Sequence, residues 1–220
     1  MVEINMKRLM GAAALICALA AAGPVDASPE SRKLLIEGHG ELSAGKYEEA
    51  LKHFTAATQA DANDAEAFYF QGATLNRLGR FPDALDRLQK AQSLGFNGPG
   101  LPFDTGWALL RLGRWIDAIV QLETFEKSIP GRGKTSEFLG EAYLGLKQYD
   151  RAETKLKEAM QRDVNLKPTS LLYLAALEVE RKKLEAAAGY LETIQKESPE
   201  SSIAQTLKTY RTGSRDPEKK

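Results

Sequence analysis

The chain contains few of the residues that carry most enzyme chemistry. Its 220 residues include one cysteine, Cys17, and two histidines, His39 and His53. A single cysteine excludes disulfides within the chain, and an isolated histidine without a plausible co-ligand makes a poor metal site. No Ser/His/Asp arrangement stands out around the two histidines. The sequence therefore predicts no catalytic residues, no metal and no cofactor.

An excess of charge of either sign is also absent. Lysine and arginine total 30, aspartate and glutamate total 30, and 43% of the residues are hydrophobic. Proteins whose main partner is nucleic acid or an anionic membrane usually carry a surplus of positive charge. We therefore expect neither as the partner of this chain.

Only the N-terminus carries a long apolar run. Lys7 and Arg8 precede an apolar stretch over residues 9–22, and Val25-Asp26-Ala27 then places small residues where a signal peptidase cleaves. This layout is typical of a secretory signal peptide, and the stretch is short for a membrane span. We expect residues 1–27 to be removed, which would leave a mature chain without cysteine. The alternative is an uncleaved amphipathic or buried helix.

Other features of this segment favour bacterial export. Ile16 stands before Cys17, where a lipoprotein requires a small residue, so lipid attachment is not expected. The apolar run is rich in alanine, and the chain has no Asn-x-Ser/Thr sequon. The expected location is the periplasm. Met6 is an alternative start, since it would place the two basic residues directly after the initiator.

A short pattern recurs every 34 residues, as Gly45-Lys46-Tyr47, Gly79-Arg80-Phe81, Gly113-Arg114-Trp115 and Lys147-Gln148-Tyr149. Three further columns keep the same period. Small residues follow each aromatic at Ala50, Ala84, Ala118 and Ala152, large apolar ones at Phe54, Leu88, Leu122 and Leu156, and glycines precede each turn at Gly38, Gly72, Gly106 and Gly140. Spacings of three and four place such residues on one helical face. A fixed period of this length indicates stacked helix pairs.

This pattern resembles the tetratricopeptide repeat family over about residues 31–201. The resemblance implies an all-α solenoid of about five helix-turn-helix repeats, namely 31–64, 65–98, 99–132, 133–166 and 168–201. A capping helix over 202–211, with Ile203, Leu207 and Tyr210 on one face, would close the stack. The charged run 212–220 is expected to be disordered. Lysines replace the turn glycine at Lys147 and Lys182.

One segment between the second and third repeats is rich in helix breakers. It runs from Gly95 to Pro102 and cannot continue a helix. The sequence leaves two interpretations open. The segment is either a longer turn that delays the next helix or a hinge between two halves of the solenoid.

The family resemblance implies a concave groove, lined by the first helix of each repeat, that usually holds a peptide. Counting positions along the repeats places an aromatic and basic cluster on that face, which we predict to bind a partner: Leu35, Tyr69, Asn76, Arg77, Phe103, Trp107, Leu110 and Arg111. Aromatic residues and arginines are enriched in interaction hot spots. The alternative is that Phe103 and Trp107 pack against the next helix. Asn76 is expected to hydrogen-bond a peptide backbone.

These features favour a non-enzymatic adaptor that binds a protein segment in its groove as part of a bacterial envelope assembly, with no small-molecule substrate. One alternative is a scaffold that self-associates through its terminal repeats. Another is an accessory subunit of an envelope enzyme or of a secretion or assembly complex. Glu137 and Glu141 are the only candidate acid pair, and we expect them to face basic side chains of a partner.

Overall fold

The computed structural model describes residues 27–212, with side chains up to residue 208. The expected signal peptide lies outside the described residues except for its last position, Ala27. The side chain of Tyr210 and the tail from residue 213 onward lie outside them as well.

Eleven α-helices account for most of the described residues, and no β-strand occurs among them. The first helices of the five repeats are α1 Pro29–Ser43, α3 Ala65–Arg77, α5 Leu101–Arg111, α7 Gly133–Gly145 and α9 Lys167–Glu180. The second helices are α2 Tyr47–Ala60, α4 Phe81–Ser93, α6 Trp115–Ser128, α8 Tyr149–Arg162 and α10 Leu184–Glu197. A 3₁₀ turn, Val164–Leu166, precedes α9, and α11 Ser202–Thr212 follows the last repeat. The architecture is the all-α solenoid that the repeat pattern predicts.

The tight turns inside the repeats need a left-handed residue. Gly113, for example, has φ +72° between α5 and α6. Lys147 and Lys182 stand at the equivalent points and adopt the same conformation, with φ 58° and 61°. The turn geometry is therefore kept where the glycine is lost, at a steric cost that glycine avoids.

The glycine column allows the two helices of a repeat to approach closely. A Cβ built on Gly72 would lie 2.8 Å from Leu88 Cγ, and one built on Gly140 would lie 2.7 Å from Leu156 Cγ. Leu88 and Leu156 are fully buried. In the first four repeats, the large apolar side chain of the second helix thus occupies the space that the glycine of the first helix leaves.

The order of helix contacts fixes the curvature of the solenoid. Each first helix comes within 8 Å, between Cα atoms, of the first helix of the next repeat. Among the described helices, no two second helices approach each other this closely. The first helices therefore form the inner, concave row and the second helices the outer row. Helix α11 packs on α9 and α10 and covers the end of the stack.

Candidate protein-binding groove

The structure separates the eight predicted groove residues by exposure. Leu35 (5% exposed), Asn76 (1%) and Leu110 (1%) are buried. Tyr69, Phe103 and Trp107 are half-buried, while Arg77 and Arg111 are exposed; these five are the members of the set that solvent reaches.

Asn76 corrects one expectation directly. We expected its amide to hydrogen-bond a peptide, but Asn76 Nδ2 donates to the backbone oxygen of Asp104 at 2.8 Å. This bond ties α3 to α5. Asn76 Oδ1 is buried and has no hydrogen-bond partner among the described residues. The side chain is therefore used between repeats and is closed to a partner.

Phe103 and Trp107 follow the alternative interpretation, in which they pack against the next helix. The ring of Phe103 stacks on Phe138 of α7 with centroids 5.6 Å apart, and the Trp107 ring lies 6.0 Å from the same ring. Arg77 covers Trp107, with its guanidinium carbon 5.5 Å from the ring centroid. Both aromatics chiefly join repeat 3 to repeat 4 and keep only part of their surface in the groove.

The acid pair of α7 is also occupied within the chain. Arg111 donates two hydrogen bonds to Glu141, at 2.7 and 3.0 Å, and bridges repeats 3 and 4. Glu137 is 1% exposed and accepts a hydrogen bond from Lys134. Burial raises the pKa of Glu137, and Lys134 partly offsets this. The expectation that both glutamates face a partner's basic side chains is wrong, since intrachain cations already hold them.

A cavity of about 370 Å³ opens on the groove side of the first three repeats, and we name it the Asp104 cavity. Its apolar walls and polar groups come from α1, α2, α3 and α5: Leu42, Tyr47, Tyr69, Phe70, Ala73, Arg77 and Asp104. Tyr69 donates a hydrogen bond of 2.8 Å to Asp104 Oδ2. Burial raises the pKa of Asp104 to about 6, while the Tyr69 hydrogen bond and the Arg77 charge oppose the rise.

The Tyr69 side chain is fixed from two sides. Its ring stacks on Phe96 at 4.4 Å, so the breaker-rich segment is packed against α3. A Cβ on Gly100 would collide with the Tyr69 hydroxyl, so a larger residue there would require this hydroxyl to shift. Burial raises the pKa of Tyr69, and the nearby Asp104 carboxylate adds to this, so the phenol remains a proton donor.

A second cavity of about 370 Å³ lies on the groove side of repeats 3 to 5, and we name it the Trp115 cavity. Its lining is aromatic and aliphatic with charged groups at the edge: Trp115, Glu141, Leu144, Lys147, Tyr149, Ala176 and Glu180. A Cβ on Gly145 would lie 2.7 Å from Trp115 Cε2, so the indole lies flat against the end of α7. Leu172 and Val179 of α9 are exposed on the adjoining surface.

Sequence reasoning missed Asp104, Tyr47, Phe70, Trp115 and Tyr149. The three aromatics at 47, 115 and 149 occupy the recurring turn position, which served only to define the repeat period. Asp104 lies in the first turn of α5, where an acidic residue ordinarily needs no other explanation than the helix dipole. Nothing in the sequence therefore distinguished it.

The sequence and the fold together identify the family. A family model described as "Tetratricopeptide repeat" matches residues 37–102 and 139–202, which is more than half of the chain. The chain belongs to the tetratricopeptide repeat (TPR) family. The third helix pair, α5 and α6, lies mostly between the two matched regions. A sequence comparison with curated proteins finds no match.

Solved TPR proteins share the fold of this TPR chain. MamA (residues 41 to the end) from Desulfovibrio magneticus RS-1 aligns with a TM-score of 0.67 and 21% identity, covering 80% of this chain and 99% of that MamA chain. TTC0263, a thermophilic TPR protein of Thermus thermophilus, gives 0.61 and 21% over 83% and 98%. YrrB, described as a TPR protein with an unusual peptide-binding site, gives 0.64 and 18% over 88% and 97%. At these identities the likeness extends to the fold alone.

Helices α1 to α11 are too short or too polar to span a membrane. The TPR chain thus offers two rows of helices, an inner groove with two cavities, and intrachain bridges that hold neighbouring repeats together.

Proposed function

We propose that this TPR chain is a non-enzymatic adaptor that binds a segment of another protein along its concave groove. The observation that carries the proposal is the pair of groove cavities lined by aromatic side chains, the Asp104 cavity and the Trp115 cavity. Partly exposed aromatic and aliphatic surface with charged groups at its edge is typical of protein-binding surfaces. TPR domains generally act as protein-interaction modules, which supports the same assignment.

The proposal includes an export step and a place in the bacterial envelope. Support comes from the N-terminal sequence, with Lys7 and Arg8 before the apolar run and small residues up to Ala27. Mass spectrometry of the protein recovered from a periplasmic fraction tests this step. A mature N-terminus at Ser28 is expected, whereas an intact N-terminus in the cytosolic fraction would contradict export.

Blocking substitutions test the groove without removing buried contacts. Ala176 is exposed and lines the Trp115 cavity, so Ala176→Arg fills that cavity with a long side chain. Arg77 is exposed beside the Asp104 cavity, so Arg77→Glu reverses the charge there. Ala188 is exposed on α10, a helix of the outer row, and Ala188→Arg is the matched control.

The measurement is an affinity pull-down from envelope extract with these three variants beside the wild type. The proposal predicts a partner that is retained by Ala188→Arg and lost or strongly reduced with Ala176→Arg or Arg77→Glu. Equal recovery by all four proteins would place the interface outside the groove and overturn the proposal. Circular dichroism of each variant checks that the helical content is unchanged.

A second candidate function is a scaffold that self-associates through its terminal repeats. Ile36 of α1 and Leu184 of α10 are 68% and 67% exposed, and they belong to the first and last repeats. Light scattering over a range of protein concentrations tests this candidate. A mass that rises with concentration, and that falls to the monomer value with Ile36→Asp, would support it, and a constant monomer mass would reject it.

A further inference from the structure

The Asp104 cavity has the dimensions and lining of a subsite for a single side chain. Its volume of about 370 Å³ is bounded by helices of three successive repeats, and it opens on the groove side. Leu42 and Ala73 contribute aliphatic surface, while Tyr47, Tyr69 and Phe70 contribute rings. Cavities of this kind usually place a few polar groups against an otherwise apolar lining, and those groups select the ligand.

The selecting group on the inner side of this cavity is an unpaired carboxylate. Asp104 is 8% exposed, and its one side-chain hydrogen bond among the described residues comes from the Tyr69 hydroxyl. No lysine, arginine or histidine of the described chain forms an ion pair with it. Burying a carboxylate without a cation is unfavourable, so a partner that supplies one gains a charge-assisted hydrogen bond.

The rings of the cavity lack an intrachain cation as well. Six cation–π contacts occur among the described residues, over Phe68, Trp107, Phe138, Tyr143 and Tyr149. None lies over Tyr47, Tyr69 or Phe70. Tyr69 and Phe70 already stack on Phe96 and Phe54, whereas Tyr47 makes no ring contact among the described residues. An ammonium or guanidinium group that entered the cavity would therefore meet the Tyr47 ring and the Asp104 carboxylate together.

Arg77 adds a positive charge at the rim of the same cavity, which favours an anionic group of the ligand. Its guanidinium lies over Trp107, its side chain is exposed, and it forms no ion pair with a described carboxylate. Arg77 and Asp104 both line the cavity but are not within the 4.0 Å of an ion pair. A ligand that carries a cation and, close by, an anion can pair with both.

We propose that the Asp104 cavity binds a lysine or arginine side chain of a partner protein's segment, and that an acidic residue close to it in that segment pairs with Arg77. The inference rests on the proposed function and specifies the chemistry of the segment. The basic side chain lies against the Tyr47 ring and donates to Asp104. The acidic side chain remains at the rim of the cavity.

Random short peptides displayed on phage and selected on the immobilised full chain test the subsite. The expected consensus is a lysine or arginine with an aspartate or glutamate nearby. A synthetic peptide of that consensus is then titrated against the wild type, Asp104→Asn and Asp83→Asn. Asp83 lies exposed on α4 beside Arg80, so its change removes one charge outside the groove.

We expect Asp104→Asn to weaken binding of the peptide by at least about tenfold and Asp83→Asn to leave it unchanged. Replacing the lysine of the peptide with norleucine should weaken binding to the wild type and have a clearly smaller effect on binding to Asp104→Asn. Arg77→Gln should reduce the preference for the acidic position only. Asp104→Asn keeps an acceptor for Tyr69, so the fold is retained, and the exposed Arg77→Gln offers an independent second test.

Each opposing result is distinct from a failure of the adaptor function. Selected peptides without a basic residue that still lose binding to Ala176→Arg would overturn the subsite and leave groove binding intact. A basic consensus bound equally by Asp104→Asn would also overturn it. Selection of no peptide would overturn it too, since the subsite predicts recognition of a short segment, while the pull-down decides the adaptor function separately.

Discussion

Tyr69 donates a hydrogen bond of 2.8 Å to Asp104 Oδ2 and joins the first helix of repeat 2 to the first helix of repeat 3. Asn76, two turns further along α3, donates to the backbone oxygen of the same aspartate. These two bonds span the breaker-rich segment between the repeats, and Phe96 of that segment stacks on Tyr69. Asp104 thus contributes both to the contact between repeats and to the lining of the groove.

The raised pKa of Asp104 predicts a pH-dependent stability difference in Asp104→Asn. Burial raises this pKa from 3.8 to about 6 in the folded chain, with Tyr69 and Arg77 opposing the rise. The ionised carboxyl therefore destabilises the fold above about pH 6, by an amount on the order of 3 kcal/mol, and this cost disappears as the pH falls towards 4. Asparagine still accepts from Tyr69 and carries no charge.

We expect Asp104→Asn to be more stable than the wild type by about 1–3 kcal/mol near neutral pH. The difference should shrink as the pH falls through 6 towards 4. In that range the wild-type carboxyl becomes protonated first in the folded state and then, near pH 4, in the unfolded state as well. Urea unfolding at several pH values measures it, with Asp83→Asn as the surface control. A difference that is independent of pH, or that grows in acid, would contradict the assignment.

The glycine column predicts opposite effects for two identical changes. A Cβ on Gly72 would meet Leu88 Cγ at 2.8 Å and the backbone oxygen of Ala84 at 3.1 Å, so Gly72→Ala should destabilise the fold by about 1–3 kcal/mol. Gly189 on α10 has open space at its Cβ, so Gly189→Ala should stabilise it by about 0.5–1 kcal/mol. Thermal unfolding of both variants compares the two signs directly. Similar effects from both would show that helix propensity, not packing, decides the column.

The left-handed lysine of the fourth repeat predicts a stabilising change to glycine. Lys147 has φ 58°, a conformation that costs a residue with a Cβ about 1 kcal/mol. Lys147→Gly should therefore raise the melting temperature by a few degrees, about 2–4 °C for a chain of this size. Lys52→Gly, at an exposed position inside α2, should lower it by a comparable amount. A lowered melting temperature for Lys147→Gly would mean that the lysine side chain contributes more than its backbone conformation costs.

The bidentate pair of Arg111 and Glu141 predicts a measurable coupling between repeats 3 and 4. The two side chains are 32% and 14% exposed, so the pair is shielded from solvent only in part. Arg111 also lies over Phe138, so its removal affects packing as well as charge. A double-mutant cycle with Arg111→Lys and Glu141→Gln should give a coupling free energy of about 1 kcal/mol. A coupling near zero would show that the planar, two-bond geometry adds nothing over a surface ion pair.

The repeat architecture was predictable because it depends on periodic columns that the sequence displays openly. Gly72 and Leu88 recur at the repeat period and pack against each other, and the turn positions keep their backbone conformation even at Lys182. These features are local to one helix pair. Spacing alone determines them.

The candidate site was predictable only in part, because exposure depends on neighbouring repeats. Leu110 and Val179 share a repeat position, yet the first is 1% exposed and the second 52%. Helix α7 packs beside α5 on the inner row, whereas α9 has no further first helix next to it among the described residues. Asp104 escaped notice for a related reason, since its role depends on Tyr69 from the preceding repeat.

The contact between successive first helices, and the separation of the second helices, also sets how the molecule can deform. When the curvature of the stack changes, neighbouring first helices stay in contact, and neighbouring second helices move apart or together. Distances across the outer surface therefore change most during such bending. A partner bound to neighbouring first helices would therefore be strained little by such bending. A partner that bridged two second helices would prevent them from moving apart and would hold the curvature of the whole stack fixed.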